Sequence, residues 1–149
     1  MIEISGTHGT SATHARSILR TGVVRQTPGR GGTGFYLWKK NRFSMDLARD
    51  WHGFSLQRGS YQGHEQMQCV IFEGLMELED LTFFDATTDE NRDRTDEMLS
   101  RVLEGSRKAG RPLNSPEEFA KIHDVFIRRI EQNSGRAVAA IAHFVAPPG

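Results

Sequence analysis

Thr7-His8-Gly9-Thr10 sets an imidazole beside a residue with no side chain, close behind the apolar pair Ile2 and Ile4. A glycine at that point lets a flat ligand approach the main chain, whose N–H and C=O can together read a carboxamide. Tyr36 lies 28 positions after His8, behind Gly34 and Phe35, and offers an aromatic face for a ring to stack on. Between them runs a glycine-rich stretch, residues 25 to 34, that carries Arg25 and Arg30. Guanidinium forks and exposed backbone N–H groups both suit phosphate oxygens. The stretch is not a dinucleotide-binding turn of the Rossmann kind. Its glycines do not give the full G-x-G-x-x-G pattern, and the run that follows them reads as a strand.

The elements that must position these residues are read from periodicity and punctuation. Ile2 to Ile4 is predicted as a short strand and Ser5 to Thr10 as a turn. A helix follows from about Ser11 to Arg20, with Ala12, Ala15, Ile18 and Leu19 on one face and Gly22 as its stop. Phe35 to Trp38 is predicted as a strand. A second helix begins around Ser44 and is predicted to turn Met45, Leu47, Ala48 and Trp51 inward, with loop from Gly53 to Gly63. Gln66 to Leu78, with Val70, Ile71 and Phe72 at its centre, is the strongest strand signal.

Near residue 88 the pattern changes from short strands to helical spacing, first over Asp89 to Glu104. Ser115-Pro116-Glu117-Glu118 is a helix start: Ser as N-cap, Pro in the first turn and Glu118 placed to close a capping box. Phe119, Ile122, Phe126 and Ile130 then recur on one face. The apolar run Ala137 to Val145 is predicted to be a central strand because so little of it is polar. The two halves are expected to form one domain, residues 1–149.

The ordered set of His-Gly-Thr at residues 8 to 10, Gly-Phe-Tyr at 34 to 36 and an intervening helix resembles the ADP-ribosyltransferase fold, in its diphtheria-toxin-like and poly-ADP-ribose-polymerase-like branch. The helix around Asp46, Ala48 and Trp51 extends the likeness to about residue 52. The resemblance implies an α+β domain with a split, mostly antiparallel sheet core and flanking helices. It implies NAD as substrate, held by His8, Gly9, Thr10, Arg25, Arg30 and Tyr36. His8 would bond the ribose hydroxyls, and nicotinamide would lie against Tyr36. Transfer of ADP-ribose to a macromolecular or small acceptor would follow. Small bacterial domains of this kind are often toxins, which implies an antitoxin protein as a further partner.

The family's third element, a glutamate that stabilises an oxocarbenium-like transition state, has no clear counterpart here. The run Ala137 to Val145 holds no acid, and its one titratable residue is His143. Glu73 and Glu65 are the candidates, with Glu77 and Glu79 further along the same segment. Alternation puts Ile71, Glu73 and Leu75 opposite Val70 and Phe72, so Glu73 faces either an apolar layer or a cleft. Two other readings stay open. One is an inactive module that binds NAD, ADP-ribose or a protein; the other is an NAD-dependent RNA 2′-phosphotransferase, which shares the fold and the early His-Gly-Thr.

Bulk composition bounds these readings. At 37% hydrophobic and 26% charged residues, with 13 aromatic side chains, the chain has the balance of a folded domain. Lys plus Arg equals Asp plus Glu at 19 each, so no global field draws in nucleic acid or an anionic membrane. A single cysteine, Cys69, excludes an internal disulfide, and its apolar neighbours suggest a buried, inert thiol. His14, His52, His64 and His123 lack metal-ligand spacing, so no metal is expected. No apolar run is long enough for a membrane span and the first residues do not read as a signal peptide. A cytoplasmic protein is therefore expected.

Overall fold

The computed structural model describes residues 1–23, 27–29 and 32–142. In chain order its elements are β1 (Ile2–Ser11), α1 (Ala12–Thr21), β2 (Thr27–Gly29), β3 (Gly32–Gly34), β4 (Trp38–Lys39), α2 (Ser44–Gln57) and β5 (Cys69–Leu78). A 3-10 turn (Asp80–Thr82) leads to β6 (Phe83–Asp85), α3 (Asp89–Lys108), α4 (Pro116–Ser134) and β7 (Ala140–Ala142). Helix and strand are thus mixed, with four α-helices and a three-stranded antiparallel sheet among the described residues. Internal contacts divide the chain into two compact units. Their boundary falls between Glu77 and Leu78, with β2 and β3 assigned to the second.

In the first unit β1 is the middle strand, in the order β4-β1-β5. It pairs antiparallel with β4, Gly6 opposite Lys39 and Thr7 opposite Trp38. β1 is far longer than the short strand predicted, because the residues from Ser5 to Thr10 that read as a turn continue it. Their small side chains serve packing. Thr7 and Ser11 are buried and share one strand face with Gly9; Thr7 Oγ1 donates to the Ser44 carbonyl at 2.7 Å. A Cβ at Gly9 would collide with the backbone carbonyl of Ala48. The strand lies against the backbone of α2, and only small residues permit that approach.

The same contact dictates which face of α2 is buried. Ser44, Ala48, His52 and Ser55 recur at helical spacing and are all buried, whereas Met45 and Trp51, predicted to point inward, are 41% and 38% exposed. The helix also runs on to Gln57 through part of the predicted loop. α1 has the expected bounds and buries Ala12 and Ala15, but Leu19, expected on the same face, is 76% exposed because it lies in the last turn of the helix. Ser11 caps it by accepting from the His14 N–H, and Gly22, at φ 78°, ends it with an N–H bond to the Ile18 carbonyl.

The first amides of α1 are taken up by the approach to β5: Ala12 N–H donates to Gln68 O at 2.9 Å and Thr13 N–H to Gln66 O at 3.1 Å. β5 matches the predicted strand, but it stands at the end of the strand order, and Cys69 at its start is exposed. The buried thiol expected from the apolar neighbours is therefore corrected. Among the described residues β5 has one strand neighbour, which covers its first residue from one side only.

In the second unit β2 and β3 form an antiparallel pair, Gly29 opposite Gly32, that packs on α4. Asp124 of α4 accepts from the Thr33 N–H at 2.9 Å and from its hydroxyl at 2.8 Å. β6 and β7 pair in parallel, Phe84 opposite Ile141. Among the described residues the predicted central strand is therefore one of two, and its three residues are half-buried. Phe84 meets Phe126 of α4 edge-on, with ring centroids 6.3 Å apart, beside a void of about 20 Å³ also lined by Ala86, Ile127 and Ile141. The predicted capping box is present: Ser115 accepts from Glu118 N–H, and Glu118 Oε2 accepts from Ser115 N–H. No helix among the described residues is long and apolar enough to cross a membrane.

Candidate active site

The pairing of β1 with β4 stops at Thr7. Continued in register, it would set His8 opposite Leu37, Gly9 opposite Tyr36 and Thr10 opposite Phe35. Instead residues 35–37 leave the sheet, and of the strand predicted over Phe35 to Trp38 only Trp38 is strand, in β4 with Lys39. The two sequence motifs thus face one another where strand pairing has ended. Across that break His8 Nδ1 lies 2.9 Å from the Tyr36 carbonyl. A carbonyl can only accept, so Nδ1 carries the proton and Nε2 of the neutral ring holds the lone pair.

Nε2 is buried and has no hydrogen-bond partner among the described residues. A buried acceptor left unsatisfied costs free energy, which singles this atom out as one that a ligand could satisfy. Burial holds the His8 imidazole below its ordinary pKa of 6.5, while the bond to Tyr36 pulls the other way. The ring is therefore an acceptor, not a cation, at neutral pH. Its face rests on Phe35, centroids 4.3 Å apart and 35° between planes, and the His14 ring stands to it at 6.4 Å and 74°. Phe35 and His14 were not singled out by sequence reasoning. Their signal is present in hindsight: Phe35 neighbours the motif tyrosine, and His14 stands four residues after Thr10 in the first turn of the helix that follows it.

Thr10 is 2% exposed, and its hydroxyl lies 2.8 Å from His14 Nδ1. The Gly9 Cβ position is filled by α2, so this glycine is required by strand–helix packing whatever its backbone does for a ligand. Tyr36 is half-buried. Arg25 and Arg30 lie outside the described residues. A second histidine group flanks β1 on its α2 side: Ser11 Oγ lies 2.7 Å from His64 Nδ1, and Tyr61 stacks on His52 and tilts against His64. His52 Nε2–H donates to the Met67 carbonyl at 2.7 Å.

Both candidate carboxylates are exposed. Glu73 shares the outward face of β5 with Leu75 and Glu77, so the cleft or apolar layer that alternation allowed is not formed by buried neighbours. Glu65 sits between His64, bonded to Ser11, and Gln66, whose N–H donates to Thr13 Oγ1 at 2.9 Å. Its two neighbours are thus tied to the β1–α1 junction, His64 through its side chain and Gln66 through its backbone. Among the described residues no group of three or more His, Cys, Asp or Glu is placed to hold a metal ion.

Comparison of the chain with protein-family models, with curated proteins and with solved structures finds no match.

Proposed function

We propose that the chain is an ADP-ribosyltransferase-like domain that binds NAD at the break between β1 and β4 and transfers ADP-ribose to an acceptor with release of nicotinamide. The observation that carries this reading is the buried Nε2 of His8, without a partner among the described residues and left as an acceptor because Nδ1–H bonds the Tyr36 carbonyl. A ribose hydroxyl is a donor of the right size and chemistry for it. Unpaired strand edge at Gly9 would read the nicotinamide carboxamide, and the half-buried Tyr36 would supply the flat surface beside it.

In the reaction the bond from the ribose C1′ to the nicotinamide nitrogen breaks first, and its electron pair leaves with nicotinamide. Positive charge grows on the ribose ring as it does so. A carboxylate, from Glu65 or Glu73, opposes that charge. The acceptor then bonds to C1′ and gives up its proton to that carboxylate or to solvent. Glu65→Gln and Glu73→Gln test the assignment: the variant lacking the working carboxylate loses nicotinamide release by about 100-fold or more while still binding NAD. Equal activity in both variants and the unmodified protein would remove the carboxylate step.

The exposure of both glutamates favours a second reading, a module that binds NAD or ADP-ribose without cleaving it. Thermal stabilisation by NAD with no nicotinamide released, in the presence or absence of cell extract as a source of acceptor, would select it.

A further inference from the structure

Phe43, Leu47, Trp51, Phe54 and Arg58 follow one another at helical spacing and so form one stripe along α2, beside its buried face. Phe43 is 52% exposed and Trp51 38%, although both are large and aromatic. The Trp51 and Phe54 rings lean together, with centroids 5.7 Å apart and 39° between planes. A cation closes each end of the stripe. The Arg42 guanidinium lies over the Phe43 ring, 4.6 Å from its centroid, and that of Arg58 lies over the Phe54 ring at 5.1 Å. Both arginines are exposed, and neither pairs with a carboxylate among the described residues.

We propose that this stripe docks an amphipathic helix of a partner protein, apolar along its middle and carrying a carboxylate near each end. Exposed Trp, Phe and Arg together have the composition of a binding hot spot, whereas a helix face that only meets water is polar. The occupant is a helix because the side of α2 offers no free backbone N–H or C=O, so an extended chain laid there would find no partner for its main chain. Its length follows from α2, whose 14 residues put about 21 Å of axis between the two arginines. Carboxylates about four turns apart on the partner would reach both. A second copy of this chain does not fit. Antiparallel pairing of two α2 helices sets Arg42 against Arg58, parallel pairing sets Arg42 against Arg42, and either brings like charges together. Single-stranded nucleic acid fits less well, because one face of each phenyl ring is taken by its arginine and Asp46 and Asp50 are exposed on the same helix. Docking here is independent of NAD binding.

The test is selection of a displayed library of helix-forming peptides, about 18 residues long, against the full chain, with the Arg42→Glu/Arg58→Glu double variant as counter-target. Peptides enriched on the unmodified protein should carry apolar residues at helical spacing, with Asp or Glu in the first and last turns. A synthetic copy of the strongest should bind Trp51→Ala about tenfold or more weakly, and should lose affinity for each single arginine reversal as well. Exchanging the matching peptide carboxylate for Lys should restore affinity for that reversal, a rescue that a misfolded variant would not show. No enrichment over the double variant, or selected peptides that bind it equally well, would overturn the proposal. So would either of the other occupants: a dimer of the unmodified chain in sedimentation that Trp51→Ala dissociates, or binding of an oligothymidylate that the double variant and Trp51→Ala both lose.

Discussion

His8 donates from Nδ1 to the backbone carbonyl of Tyr36 across 2.9 Å, bridging with a side chain the stretch where β1 and β4 have ceased to pair. That one bond decides which ring nitrogen keeps its lone pair, and burial keeps the ring neutral.

A pH dependence of stability follows with a definite sign. The folded-state pKa of His8 is lowered from 6.5, so below that value the unfolded chain binds a proton that the folded chain resists. The contribution of His8 is complete above pH 6.5 and is lost as pH falls toward the depressed value. Denaturant unfolding at pH 7.5 and at stepwise lower pH should show stability falling on acidification, and less steeply in His8→Phe. Equal slopes in the two proteins would show that burial of His8 does not couple to folding.

Gly9 and Gly53 should answer oppositely to alanine. At Gly9 the added methyl meets the Ala48 carbonyl, a backbone atom that can yield only if α2 moves, and a loss on the order of 3 kcal/mol is expected. At Gly53, inside α2, nothing lies within 4 Å of the new Cβ, and the gain in helix propensity should stabilise by roughly 0.5–1 kcal/mol. Thermal unfolding of both variants checks the contrast. A tolerated Gly9→Ala would mean that the strand does not touch the helix as described.

Ser115→Ala removes the N-cap of α4 and should cost about 1 kcal/mol. Its partner Glu118 accepts from the Asn114 and Ser115 amides, which lower its pKa below the ordinary 4.5. The cap is therefore strongest above pH 4.5 and fades as pH drops through the lowered value. Helical content followed by circular dichroism on acidification should fall less steeply in Glu118→Gln than in the unmodified protein.

Cys69 should react with a thiol-directed reagent in the folded protein, one equivalent per chain, without prior denaturant. Reaction only after unfolding would return the residue to the buried position that its apolar neighbours suggested.

The contrast between Cys69 and Ser115 shows what was legible in the sequence. Caps and stops are local chemistry: Ser115, Glu118 and Gly22 act on backbone groups within four residues, and each was found where its type and spacing put it. The strands and helices most rich in periodic apolar residues, β5 and α4, were likewise found. The errors came from tertiary context. Ser5 to Thr10 has the composition of a turn, yet Thr7 and Gly9 are small because the α2 backbone lies against them. Met45 and Trp51 satisfy a rule that large apolar residues point inward, but Ser44 and Ala48 fill that face.

The candidate site was legible in part for the same reason. His8 and Tyr36 were picked as a pair and are joined by a hydrogen bond, although through the tyrosine's backbone. Phe35 and His14 were given no part in the site because their placement depends on where residues 35–37 leave the sheet and on how α1 begins, neither of which has a periodic signature.

Nicotinamide release from NAD by the purified protein, with His8→Ala beside it, tests the central claim most directly. The unmodified protein should release nicotinamide, in the presence of an acceptor if one is obligatory, and the variant should lose release while circular dichroism shows its fold retained. Release undiminished in a folded His8→Ala protein would contradict the assignment of the unpartnered imidazole nitrogen as the atom that holds the substrate.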